Sequence, residues 1–249
     1  MIDEEWKAIC DTIADKMKVF TRPCVTILAS PSGGPTEIGT GTFIEKDGVK
    51  LLTCEHVARF NPSAHFVDES GTTEVQPGIW CVEPDPSIDA AVARMSPEKW
   101  SRISGSARPL PMSKFAAKHT EVQHEIFFFR GIAGENAHFS AFGDDAILTG
   151  YCSQEKKHAG DTNKFEILWS PRNATVTSGT DSDVRARFKY ENPAGFSGSL
   201  VWNTRFVELG CDLSNWSPCD AAITGLLRRY DADTATLLAW RVEHLLRWL

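Results

Sequence analysis

Positive charge is scarce in this chain. Its 26 Lys and Arg are outnumbered by 33 Asp and Glu, and a net charge of −7 denies it the clustered positive field that nucleic acid or an anionic membrane surface requires. The pair Arg228-Arg229 is too short to reverse that balance. No apolar run approaches the ~18 residues of a membrane span. The opening MIDEEWKAICDTIADKMKVF does not read as a secretory signal; apolar residues at Trp6, Ile9, Cys10, Ile13, Met17 and Phe20 fall at helical spacing and predict an amphipathic helix over 1–20. The 7 cysteines are odd in number and include no CxxC pair, which argues against a disulfide framework and for reduced thiols in a cytosolic protein. Cys211 and Cys219 bracket a loop without a second pair to complete a metal site, so neither metal nor other cofactor is expected. The sequon Asn173-Ala174-Thr175 then reads as accidental.

Apolar residues are plentiful: at 42% hydrophobic and 24% charged, 249 residues suffice to bury a sizeable core, as one large domain or two smaller lobes. After the first helix the texture becomes short β-branched and aromatic runs punctuated by Gly, Pro, Asn and Asp, the pattern of many short strands. Strands are expected at 24–30, 39–45, 50–54, 90–95, 125–131, 165–170, 184–190, in GSLVWN and in AAITGLL. A second amphipathic helix is expected in LLAWRVEHLLRWL, with Leu238, Val242, Leu245, Leu246 and Leu249 facing the body. The Ser, Gly and Pro-rich stretch Ser104 to Ser113 is the best linker between two β lobes.

Three segments carry chemistry. In NPAGFSGSLVW, Asn192 to Trp202, Ser197 stands close to Gly195 and Gly198 and runs into a strand. In TGTFIEKDGVKLLTCEHVAR, two strands joined at Lys46-Asp47-Gly48 deliver His56 at the end of a hairpin. In PSIDAAVARM, Asp89 directly precedes an alternating small and apolar strand, with Asp85 a competitor in the same acidic loop. A serine hydroxyl needs a base to take its proton as it attacks a carbonyl, and imidazole titrates in the right range. A carboxylate then holds the imidazole tautomer and stabilises the imidazolium. The amides of Gly195 and Ser197 are the expected donors to the developing oxyanion.

These segments resemble those of chymotrypsin-fold, or trypsin-like, serine peptidases, most nearly the disulfide-free bacterial members. The hairpin resembles their histidine motif, IDAAVA their aspartate motif and NPAGFSGSL their serine motif, and the resemblance spans residues 21–249. It implies an all-β fold of two six-stranded antiparallel barrels packed face to face. Residues 21–110 would carry His56 and Asp89, and 111–249 would carry Ser197 and a closing helix. It implies peptide-bond hydrolysis through an acyl-enzyme, with a protein or peptide as substrate, and a substrate pocket near Glu191, Arg228, Arg229 and Tyr230. Phe196 stands where the family has a polar residue that pairs with a cleaved N-terminus, so activation by such cleavage is disfavoured; Ser199 replaces the second glycine and Leu200 a proline. A cytosolic protease without a propeptide needs restraint, for which a regulatory protein partner is one means.

Three other readings compete. Ser197, an Asp among 212, 220, 231 and 233, and His244 run in the order of an α/β-hydrolase, as in an esterase, but that elbow requires Gly two residues after the serine and a helix beyond it. A catalytically silent module would use the same fold for interaction alone. A lone histidine after a strand, an aspartate at a strand start and a Gly-Ser turn each have an ordinary structural explanation as well.

Overall fold

The computed structural model describes residues 3–30, 37–85, 87–140, 143–156, 162–171 and 192–249. The expected strand over 184–190, the sequon at Asn173 and the pocket residue Glu191 lie outside them. Helix α1 (Asp3–Thr21) buries Ile13 and Met17 completely. Its flanking rings reach across to the second half of the chain, Trp6 to Phe206 with ring centroids 6.4 Å apart and Phe20 to Trp202 at 5.8 Å. No helix among the described residues is long and apolar enough to cross a membrane.

Two largely antiparallel sheets follow in succession. The first contains β1 (Val25–Ala29), β2 (Ile38–Glu45), β3 (Val49–Thr53), β4 (Ser63–Asp68), β5 (Gly71–Val75), β6 (Trp80–Val82), β7 (Ala91–Arg94) and β8 (Leu110–Pro111). Its order is β5-β4-β1-β2-β3-β7-β6, with β8 pairing β2 in parallel. The second contains β9 (Phe127–Ser140), β10 (Gly143–Ser153), β11 (Glu155–Lys156), β12 (Lys164–Leu168), β13 (Leu200–Asn203), β14 (Ala222–Asp231) and β15 (Thr236–Arg241), in the order β10-β9-β13-β14-β15-β12-β11. Short helices α2 (Glu55–Ala58), α3 (Pro97–Ser101) and α4 (Val242–Leu246) connect or close them.

The all-β, two-sheet architecture is the expected one. Among the described residues the sheets hold eight and seven strands rather than six each, because short edge segments such as β8 and β11 add to the longer strands. The expected C-terminal helix is shorter: 236–241 form β15, and α4 starts at Val242. Residues 236–240 are buried in unbroken succession, as in a strand covered on both faces, so the apolar spacing that suggested a helix there was the start of a strand. Within the expected linker, Leu110 pairs with Ile44, tying that stretch to the first sheet.

Candidate active site

Strand register sets the first half of the site. In the β2–β3 hairpin, Asp47 and Gly48 take φ of 53° and 97°, the left-handed conformation that this turn requires. Strand β3 pairs with β7 so that Thr53 lies opposite Ala91 and Leu52 opposite Val92. Continued past Thr53, that antiparallel register sets the residues after β3 beside those before β7, and so brings α2 over Asp89. His56 is the second residue of α2. Its Nδ1 lies 2.6 Å from Asp89 Oδ2, and its backbone N–H donates to Asp89 Oδ1 at 3.0 Å. An ionised carboxylate only accepts, so Nδ1 carries the proton in this bond and Nε2 is the ring nitrogen turned away from Asp89.

Burial raises the Asp89 pKa. The hydrogen bonds from the His56 ring and amide and the charges of His56 and Arg228 outweigh that effect, and the net result lies below the ordinary carboxylate value. Asp89 is therefore ionised at neutral pH. Its rival Asp85 is exposed and turned away, its Oδ1 taken up by the amide and hydroxyl of Ser87 at 2.9 and 2.6 Å.

Accessibility separates His56 from another histidine with a carboxylate partner. His119 Nε2 meets Glu155 at 3.2 Å, but its side chain is 1% exposed, against 40% for His56. Stacked on Phe165 and bonded through Nδ1 to Thr224, His119 is a satisfied core residue with no face for a substrate.

The serine loop is held by side chains. Phe196 is buried among Phe129, Tyr151 and Trp169, with ring centroids 5.4, 5.2 and 5.9 Å away. On the other side, Thr40 of β2 donates through its amide to Ser197 O at 2.9 Å and through its hydroxyl to Gly195 O at 2.8 Å. The Ile132 amide donates to the same hydroxyl at 3.2 Å, so one threonine joins the first sheet, β9 and the loop. The loop passes so close that a Cβ on Gly198, where φ is 92°, would stand 2.0 Å from Thr40 O. Ser199 N–H donates to Phe196 O at 2.9 Å. Because N–H and C=O of a trans peptide point in opposite directions, this aims the Ser197 amide the other way. Gly195, with φ of 104°, and Ser197 donate their amides to no group among the described residues, the arrangement expected of oxyanion donors.

Ser197 Oγ donates to Arg228 O at 2.7 Å rather than to His56. Arg228 Nε in turn lies 3.3 Å from Asp89 Oδ2. His56 and Asp89 are thus joined directly, and Ser197 joins them through Arg228. Of the expected pocket residues, Arg228 faces Asp89, while Arg229 and Tyr230 are exposed on β14. Sequence reasoning singled out neither Thr40 nor the rings around Phe196; the only trace of Thr40 was its place in the alternating GTGTF run.

Cys54 Sγ lies within 4.8 Å of the His56 and Asp89 ligand atoms. Burial pushes that thiol well above its ordinary pKa, and it donates to Leu227 O at 3.1 Å. In that protonated form the thiol is not a nucleophile.

No family model and no curated protein sequence matches the chain. Solved structures do. The Rv3671c protease from M. tuberculosis in its active form has a TM-score of 0.56 at 16% identity, over 95% of this chain and 84% of that one. The protein GrC has a TM-score of 0.56 at 12% identity, over 92% of each chain. The thermostable serine protease AL20 from an extremophilic microorganism has a TM-score of 0.54 at 10% identity, over 94% of this chain and 95% of that one. At such identities the likeness is one of backbone architecture, and the chain has the chymotrypsin fold.

Proposed function

We propose that this protein is a serine endopeptidase working through Ser197, His56 and Asp89. The observation that carries the reading is the 2.6 Å bond from His56 to an ionised, mostly buried Asp89, with Ser197 linked to Asp89 through Arg228 and the Gly195 and Ser197 amides bonded to no group among the described residues. In the proposed mechanism the Ser197 hydroxyl rotates from Arg228 O to His56 Nε2 and attacks the scissile carbonyl. His56 takes the proton and Asp89 stabilises the imidazolium. The amides of Gly195 and Ser197 receive the oxyanion. His56 then protonates the leaving amine, and water releases the acyl group by the same steps in reverse order of roles. Residues 21–110 and 111–249 serve as the two lobes, each supplying one side of the site.

The seven free thiols suit a reducing compartment, and we place the enzyme in the cytosol. Activity that disappears in reductant would contradict that placement. A second reading, a silent module that only binds partners, draws on the Ser197 hydroxyl bonding to Arg228 O instead of His56. The deciding experiment is a proteome-derived peptide library incubated with wild type and with Ser197→Ala. Cleavage by wild type alone supports the peptidase, equal cleavage by both refutes it, and none by either favours the module.

A further inference from the structure

Arg228 is the residue where β14 departs from regular pairing. Leu227 stands opposite Ala239 and Arg229 opposite Leu238, so Arg228 is the extra residue of a bulge. Bulges re-aim a side chain, and here the guanidinium turns back over the Trp240 ring, 5.3 Å from its centroid, and reaches Asp89 Oδ2 at 3.3 Å. The same Oδ2 accepts the His56 Nδ1 proton. The backbone carbonyl of the same arginine accepts the Ser197 hydroxyl. One residue therefore touches the acid by its side chain and the serine by its main chain.

Resting on the peptidase reading, we infer that Arg228 is a positioning residue. Its cation orients the Asp89 carboxylate and competes with His56 for its charge at Oδ2.

The signs are fixed by charge. Asp89 alone favours imidazolium; Arg228, bonded to the same Oδ2 that faces His56, opposes it. The other groups around the pair do not take over this role. Arg59 is exposed and held at both ends by Glu55, at 3.1 and 2.6 Å, and Cys54 stays a neutral thiol. Arg228 is also placed to last as a partner: its side chain is 29% exposed, and the Asp89 side chain 11%, so the pair is shielded from the screening that weakens surface ion pairs.

The test is the second-order rate of labelling by a fluorophosphonate probe as a function of pH, which follows deprotonation of the base. Arg228→Met keeps the stem over Trp240 and removes the charge; Arg228→Lys keeps a charge with poorer geometry. In Arg228→Met the midpoint of the acid limb should move up by about half a pH unit or more, and in Asp89→Asn it should move down. Arg228→Lys should fall between wild type and Arg228→Met. A fall in rate at every pH with an unmoved midpoint, in a variant that melts like wild type, would overturn the inference by reducing Arg228 to a packing role. If Arg228→Met does not fold, the lysine variant decides alone, an unmoved midpoint again refuting. A wild type that is not labelled at any pH refutes the peptidase reading itself, which separates the two failures.

Discussion

His56 and Asp89 hang from paired strands of the first sheet, whereas Ser197 lies in the segment 192–199 just before β13, which meets neighbouring strands through a few backbone bonds: Thr40 N–H to Ser197 O, Gly198 N–H to Leu227 O and Leu227 N–H to Ser199 O. On the first side, backbone hydrogen bonds from β2 through β3 to β7 fix the distance between the two residues, and the register alone brings them together. On the second side, the backbone bonds to Leu227 are joined by two anchors from different parts of the chain: the aromatic group around Phe196, and Thr40 from the opposite sheet. A loop that must present free amides cannot use them in secondary structure, so its order has to come from side chains and from its carbonyls. Phe196 gives this loop an apolar anchor, buried against the rings of Phe129, Tyr151 and Trp169.

Four groups of substitutions probe that contrast. The largest loss should come from Ser197→Ala or His56→Ala, each lowering turnover by on the order of 10⁶-fold without unfolding the protein; the double variant should lose no more. A double variant far below either single would mean that the two residues do not act as one unit. Next, Asp89→Asn should cost about 10⁴-fold, through the wrong imidazole tautomer. Asp85→Asn should leave turnover nearly unchanged, and the reverse ranking would move the role to Asp85.

Third, Phe196→Ala should destabilise by about 3–5 kcal/mol and, by releasing the Ser197 amide, slow fluorophosphonate labelling by about 10²-fold or more. Phe196→Leu should restore most of both. If Phe196→Ala labels at the wild-type rate, the loop does not depend on its aromatic anchor. Among the anchors of the serine loop the smaller effect belongs to Thr40→Val, which keeps the shape and removes the hydroxyl bonds to Gly195 O and from Ile132 N–H. About 1–2 kcal/mol of stability and roughly tenfold in labelling should be lost. An unchanged rate would leave the seam between the sheets irrelevant to the loop.

The same contrast explains what could be read from the sequence. The strand runs around His56 and Asp89 alternate cleanly, and a motif that depends on register over a few residues is visible in one dimension. Ser197 was visible too, because glycines mark the turn where φ must be positive. Its supports were not: Thr40 lies 155 residues from Gly195, and nothing local distinguishes it from other strand threonines. The resemblance put Arg228 near the substrate pocket; its contact with Asp89 was not legible, because the bulge that re-aims its side chain has no reliable sequence signature. Strands β4, β5 and β6 went unread because their runs are short and mixed in polarity, taking their form from neighbours already in place. The stretch 237–240 was read as helix since a doubly buried strand and a buried helix present the same apolar run.

The central claim is that Ser197 is a nucleophile activated by His56. It is tested most directly by treating the purified protein with a fluorophosphonate probe and locating the adduct by peptide mass spectrometry. The account predicts one adduct, on Ser197 Oγ, abolished in His56→Ala while that variant keeps its thermal midpoint. A wild type that cleaves peptides but takes up no probe, or whose adduct lies on another residue, would contradict it.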